Sequence, residues 1–531
     1  MAADGWTVPR VLARRSTDDV DVQALVDERH AITWREIDDA SRALAVRLVA
    51  SGVGKGDRVG LLLPNSELWA TVAFATTRVG AVLVPLSTLL RPPELLAQLR
   101  TASVTHLVTA RTFRGRPYLD ELDDAAPGAV AAIRAGRRYA ALPSLRSLWT
   151  DDALPEGSVP AEMVAALEEC VRAADDMVIL FTSGSRGTPK GVIHTHGSVL
   201  RAVASGLDAR CVGRGERLYI PMPFFWTGGF CGGLLTVLLA GATLLTESEP
   251  EPARTLRLLE RERATLFRGW PDQAARLAAH PDFATTDLRT LRPASLAAVL
   301  PPELRPHDTR ARANLFGMTE SGGPYCADRL DTDMPAAKHG SCGRPFAGMD
   351  VRIVDPATGE RVATGDEGEI RLRGPAMLRG ICGRTRDDVF DRDGFYRTGD
   401  MGRLDADGYL WFDGRLDDMV KIRGATVYPS EVETALRTIP GVRQAFATDV
   451  ARDRGAPEVG ALVVADAEPD AIADAARARL SAFKVPTLWL VTADVALVPL
   501  SATGKIVKHS LQQLLRTRGT RVSRRQEDSR P

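Results

Sequence analysis

The sequence predicts an α/β protein, with a large amino-terminal part of sheets covered by helices and a smaller α+β part after it. Three observations lead there. From about Ile32 onward, helix-like runs alternate with short apolar strands. The chain has 531 residues, more than one core organises at roughly 150 residues per domain. A charged, glycine-punctuated stretch, DGRLDDMVKIRG at 413–424, interrupts the pattern late in the chain, as a boundary between rigid bodies would.

In chain order, residues 34–50 have helical periodicity, and 58–64 (RVGLLLP) form a short apolar strand bounded by turn residues. A second helix-like stretch leads to 80–85 (GAVLVP), again a strand and then a stop. Such alternation implies a parallel sheet covered by helices. Residues 111–165 are rich in Arg, Asp, Pro and Ala with weak periodicity, and read as surface-following chain. A buried-strand pattern resumes at 177–181 and runs into a glycine and hydroxyl loop, with a helix expected after it. Past the charged stretch, helices are expected near 429–438 and 471–482, and strands near 459–464 and 488–491. The sixteen residues from Arg516 carry six Arg against one Glu and one Asp, and read as a disordered, solvated tail. The expected boundaries are therefore 1–415, 416–515 and 516–531.

Composition narrows the function. Lys+Arg and Asp+Glu are 68 each, so no global charge recruits nucleic acid or an anionic membrane. The most apolar segment, 232–245, is shorter than the ~20 residues a bilayer span needs and carries Thr and Gly. The amino terminus lacks the apolar stretch of a secretory signal, and the six cysteines have neither disulfide-framework nor zinc spacing. A cytoplasmic protein, monomeric or homodimeric, is expected. Only seven of the 68 basic residues are lysine, at 55, 190, 338, 421, 484, 505 and 508. A position that keeps lysine is thus a candidate for chemistry needing a compact ammonium.

The strongest local signal is FTSGSRGTPKGV at 181–192. Four hydroxyls, glycines that free backbone N–H groups, and Lys190 together make a phosphate cradle. It is not a Walker A loop, because Lys190 follows Pro189 and precedes Gly191. Downstream stands NLFGMTE at 314–320, whose Thr319 and Glu320 alone read equally as a helix cap. YRTGD at 396–400 places an aspartate in a turn, where it could accept both hydroxyls of a ribose or be an ordinary turn residue. GRLDDMVKIRG at 414–424 and PLSATGK at 499–505 complete the series.

In this order the five segments resemble the adenylate-forming superfamily of acyl-CoA synthetases, free-standing adenylation domains and luciferases. The likeness runs from about Thr33 to Leu515 and includes GVGKGDRVGLLLPNS, GSCGRPFAGMDVRIVD and FKVP. It implies a large adenylate-forming domain, a small mobile carboxy-terminal domain, and ATP, Mg²⁺ and coenzyme A as reactants. The residue roles it implies follow the motifs. Thr182, Ser183, Gly184, Ser185, Gly187 and Lys190 hold phosphates, and Phe316 and Gly317 line the nucleotide. Thr319 stands near the α-phosphate, Glu320 positions Mg²⁺, and Asp400 and Arg415 grip the ribose. Lys505 bridges carboxylate and α-phosphate, Asp417 is the hinge, and Lys421, Arg423 and Gly424 form a loop that swings beside the acyl adenylate.

Three features are this chain's own. Arg186 stands where the family usually has Thr, and RTLRPASLAAVLPPEL at 289–304 lacks the family's paired glycines on the adenine side. In PMPFFWTGG at 221–229, an aromatic cluster stands where many relatives carry histidine at the position of Trp226; Phe225 and Trp226 read as a wall of the acyl site or as core, and Gly228 and Gly229 leave room. No acid stands there to hold an α-ammonium, so a hydrophobic carboxylic acid is expected rather than an amino acid. His194 and His196 have a spacing compatible with a metal pair but no evident third ligand, and read as packing residues. The expected reaction makes acyl-AMP with release of pyrophosphate, then passes the acyl group to CoA. The rivals are a ligase loading a carrier protein's phosphopantetheine thiol and a nucleotide-binding relative without catalysis.

Overall fold

The computed structural model describes residues 5–182, 190–313, 315–416, 420–422, 425–427, 429–451, 458–480, 484–500 and 506–522. The chain divides into two compact units. The first runs to Val351 and adds Leu372–Tyr396 and Gly408–Leu410; the second takes Arg352–Arg371, Arg397–Asp407 and the residues from Trp411.

The first unit is built on a seven-stranded sheet in the order Gly380–Ile381, Lys190–Thr195, Asp176–Thr182, Val82–Pro85, Arg58–Leu62, His106–Thr109, Ser147–Thr150. The strands from Asp176–Thr182 to Ser147–Thr150 are parallel, as the alternating pattern predicts. Helix Trp34–Ala50 has the expected bounds and begins at a capping box, Thr33 accepting from Glu36 N while Glu36 accepts from Thr33 N. Helix Glu67–Arg78, the crossover between two parallel strands, is buried along nearly its whole length, which its composition (ELWATVAFATTR) permits. Its last residue, Arg78, is fully buried and reaches Asp38, Ser41 and Glu168. Removing one member of such a buried network strands the others, so Arg78→Ala is expected to cost about 3–5 kcal/mol in urea unfolding. A loss under about 1 kcal/mol would show that the carboxylates rehydrate.

Three expectations change. The strand Lys190–Thr195, antiparallel to Asp176–Thr182, follows the glycine and hydroxyl loop where a helix was expected; the helix begins only at His196, capped by Thr195. Val192, Ile193 and Thr195 are β-branched and suit the pleated surface. Residues 111–165 are not simply surface chain. They contain helices Tyr118–Ala125, Ala129–Arg134 and Ala161–Cys170 and the edge strand Ser147–Thr150, with Leu122 and Ile133 in the core. Past Arg516, helix Lys508–Arg518 continues and Thr520–Arg521 pairs with Leu488–Trp489, so regular structure extends into the expected tail.

A five-stranded sheet in the same unit, ordered Leu266–Phe267, Arg217–Tyr219, Thr243–Leu245, Gln23–Val26, Ala31–Thr33, launches the aromatic segment from the end of Arg217–Tyr219. That segment enters a helical run over 227–240, whose middle, Phe230–Leu234, is a π-helical turn. Such turns concentrate at functional sites.

The second unit holds most of the strands Asp350–Val354, Gly368–Arg373, Tyr396–Leu404 and Leu410–Arg415, which lie in that order. It also holds the sheet Val442–Val450, Glu458–Ala465, Leu488–Thr492, Thr520–Arg521. Strand Glu458–Ala465 alternates. Ala461 and Val463 pack with helices Pro429–Arg437 and Pro469–Arg477, while Leu462 and Val464 pack with Leu511 and Leu515 of Lys508–Arg518. The expected helices and strands of this region are present, displaced by a few residues at their ends.

Candidate active site

In the first unit the antiparallel pair places Thr182 opposite Lys190, so the two ends of the phosphate-cradle segment are cross-strand neighbours. Ser183, Gly184, Ser185, Arg186 and Gly187 lie outside the described residues. Thr182 Oγ1 is buried without a hydrogen-bond partner among the described residues, a hydroxyl available to a ligand. Lys190 Nζ donates to Glu320 Oε1 at 3.0 Å, and Tyr396 Oη donates to the same oxygen at 3.0 Å. Glu320 is only 4% exposed. Burial alone would raise its pKa, but the charge and hydrogen bond of Lys190, helped by Tyr396, hold it below the ordinary carboxylate value.

Glu320 occupies a single turn, Thr319–Ser321, between strands Phe316–Met318 and Gly323–Ala327. This hairpin is tight enough to require Gly317: a Cβ there would stand 2.3 Å from Gly323 O and 2.4 Å from Pro324 Cα. Phe316 packs edge-on to Tyr325 at 5.5 Å. Thr319 is tethered twice. Its carbonyl lies 2.7 Å from His194 Nε2, and its hydroxyl accepts from Thr227 Oγ1 at 3.0 Å. A carbonyl only accepts, so His194 carries its proton on Nε2, and burial keeps the ring neutral. His196 serves packing. Its Nδ1 accepts from Val8 N, and burial pushes its pKa down to about 3. No metal-holding cluster of three His, Cys, Asp or Glu occurs among the described residues.

In the second unit Arg415 donates to Asp400 Oδ1 at 2.9 Å and to Thr398 O at 3.0 Å. Asp400 N in turn donates to Thr398 Oγ1 at 2.9 Å. The two residues expected to share a ribose are thus joined to each other. Strand Val420–Ile422, which includes Lys421, pairs with Ala425–Val427. Asp417, Arg423, Gly424 and Lys505 lie outside the described residues. Leu500 and Ile506 form an isolated antiparallel bridge.

The aromatic segment is in the first unit. Phe225 is buried, Trp226 is half-buried, and their rings meet edge-on at 5.2 Å. Trp226 also meets the exposed Trp270 at 5.7 Å. At 228 and 229 the absent side chains make room for the preceding turn: an added Cβ would stand 2.3 Å from Met222 Sδ and 2.1 Å from Pro223 O. Gly232 faces more open space, its nearest neighbour 3.9 Å away.

A buried, ionised carboxylate beside a lysine, a tethered hydroxyl and an orphaned threonine suits an anionic phosphoryl group better than any nucleophilic relay. Residues 12–382 match the family described as AMP-binding enzyme. The chain belongs to that family. This AMP-binding enzyme is 33% identical, over 97% of its length and 100% of the relative, to 3-[(3aS,4S,7aS)-7a-methyl-1,5-dioxo-octahydro-1H-inden-4-yl]propanoyl:CoA ligase of Mycobacterium tuberculosis. It is also 33% identical to the feruloyl-CoA synthase of an Amycolatopsis species, over 91% of this chain and 94% of that one. Among solved structures, the Mycobacterium tuberculosis fatty acyl CoA synthetase has a TM-score of 0.70 at 26% identity, covering 96% of this chain and 98% of the other. The AMP-binding enzyme is accordingly an acyl-CoA synthetase, an AMP-forming acid–thiol ligase that uses ATP. Among the described residues, no helix is long and apolar enough to cross a membrane.

The donor set also fits a hard divalent cation. Among the described residues, the side-chain hydrogen bonds of Lys190 and Tyr396 to Glu320 both fall on Oε1, so Oε2 of the ionised carboxylate suits a cation. Sequence reasoning missed Tyr396, Thr227 and Trp270 as members of this neighbourhood of the AMP-binding enzyme. Tyr396 begins the YRTGD segment, yet nothing local shows that its hydroxyl reaches a carboxylate 76 residues away.

Proposed function

We propose that the enzyme activates a hydrophobic carboxylic acid as its acyl adenylate, with Mg²⁺ as the metal, and then transfers the acyl group to coenzyme A in the cytoplasm. The observation that carries this is the Lys190, Glu320 and Tyr396 cluster beside Thr319. A carboxylate is a poor acyl donor because its leaving group would be oxide. Its oxygen therefore attacks the α-phosphorus of ATP, and the bond to the pyrophosphate oxygen breaks. Negative charge grows on the phosphoryl oxygens as this happens. Lys190 supplies a fixed positive charge for that build-up, and Thr319, held by His194 and Thr227, supplies an oriented hydroxyl. Mg²⁺, held through Glu320, would neutralise phosphate charge. Asp400 accepts hydroxyls of the ribose while Arg415 keeps its carboxylate oriented.

In the second half-reaction the CoA sulfur, having lost its proton, attacks the acyl carbonyl carbon and AMP leaves. Both half-reactions use one pocket, and residues beyond Leu416 turn about Asp417 to exchange Lys505 for the Lys421–Gly424 segment. Asp417→Pro fixes φ at the pivot and is expected to slow thioester formation far more than adenylation. Equal slowing of both, measured as separate half-reactions, would place the pivot elsewhere.

The aromatic wall of Phe225 and Trp226, extended by Trp270, suits an apolar acid. The test is exchange of labelled pyrophosphate into ATP across fatty, aryl and polycyclic acids, followed by thioester synthesis with free CoA. Acid-dependent exchange is expected with at least one hydrophobic acid. Exchange with none, or thioester formation only on a carrier protein, would overturn the reading.

A further inference from the structure

Asn65 lies in the turn between strand Arg58–Leu62 and helix Glu67–Arg78 and is 5% exposed. Two of its carboxamide's three hydrogen bonds go to one short stretch of distant backbone. Oδ1 accepts from Phe224 N at 2.7 Å, and Nδ2 donates to Met222 O at 3.0 Å and to Thr246 Oγ1 at 2.9 Å. The network fixes the amide's orientation, since an N–H only donates and a carbonyl only accepts. Asn65 therefore grips the turn on both sides of Pro223.

Four residues on, Trp69 packs edge-on to the Phe224 ring at 5.2 Å and against Phe230 at 5.6 Å. One segment, 65–69, thus holds both the backbone of the turn and its first ring. From the other side, Gly228 and Gly229 close onto Met222 and Pro223 with no space for a side chain. What emerges from this clamp is Phe225 and Trp226. The next residue, Thr227, ties the segment to the Thr319 hydroxyl.

We propose that Asn65 is a positioning residue for acid selection: by fixing the backbone from Met222 to Phe224 it sets where Trp226 stands, and so which acids the enzyme accepts. The proposal rests on the reading of Trp226 as an acyl-site wall. A carboxamide of this length is required. Aspartate offers no donor to Met222 O, serine does not span the turn, and either leaves a buried backbone group unpaired.

The experiment compares kcat/KM in pyrophosphate exchange for the two acids the unaltered enzyme uses best. Their ratio does not depend on the fraction of enzyme correctly folded, so a merely destabilising change leaves it alone. Asn65→Ser is expected to shift the ratio by roughly tenfold, with the KM for ATP within about twofold, because a small misplacement of a positioning group carries a large kinetic cost. Should that variant not fold, Asn65→Asp keeps the shape, and Gly229→Ala displaces the same turn without touching Asn65. Both are expected to shift the ratio. Thr246→Val removes only the bond that does not reach the turn and is expected to leave it unchanged. An unchanged ratio in the variants at 65 or in Gly229→Ala, or an equal shift in Thr246→Val, overturns the proposal. Absence of exchange by the unaltered enzyme with every acid would instead overturn the proposed function, and this inference with it.

Discussion

Glu320→Gln is expected to lower acid-dependent pyrophosphate exchange by roughly 10²–10³-fold, the scale on which preorganised charge contacts to phosphoryl groups act. Glutamine keeps the shape and still accepts from Tyr396, but it removes the negative charge that pairs with Lys190. A fall of less than about threefold would remove Glu320 from the reaction. The pH dependence gives an independent check. The native carboxyl is held below its ordinary value, so its ionised form persists as pH falls until the pH passes through that lowered pKa. Lys190→Ala deletes the charge that opposes burial, the pKa rises, and the acidic limb of kcat/KM should move towards neutrality. A limb that stays in place would mean that another group controls it.

Lys505→Ala is expected to reduce acyl-adenylate formation by a similar ~10²–10³-fold while leaving thioester synthesis from supplied acyl adenylate largely intact. Lys505 is one of only seven lysines among the 68 basic residues of the chain. A lysine used only while carboxylate and phosphate react should be dispensable once the mixed anhydride exists. Equal loss in both half-reactions would remove that assignment of Lys505.

What was legible in the sequence follows from how local each cause is. Thr33 and Glu36 sit three residues apart, so the start of helix Trp34–Ala50 could be read directly. The order of short motifs pointed to Thr182, Lys190, Thr319 and Glu320, and the structure gathers all four within one unit. Lys190–Thr195 was missed as a strand because its pairing partner, not its own six residues, decides the matter. The helices of 118–134 are short, and their buried residues Leu119, Leu122, Ala129 and Ile133 span too few turns for a clear period. The bonds Tyr396 to Glu320, Thr227 to Thr319 and Asn65 to Phe224 cross 76, 92 and 159 residues. Each joins groups whose neighbours in sequence give no hint of the partner.

The register that sets Thr182 against Lys190 also bears on how this enzyme could diversify. Because Thr182 and Lys190 face each other across adjacent strands, the pairing that fixes this register lies wholly outside the seven residues 183–189. Their number and identity can change without sliding any strand against its neighbour. A segment joining a strand to a helix on the far face would have no such independence. Exchanges within 183–189, Arg186 in place of the family's usual Thr among them, need not disturb the sheet that carries Thr182 and Lys190.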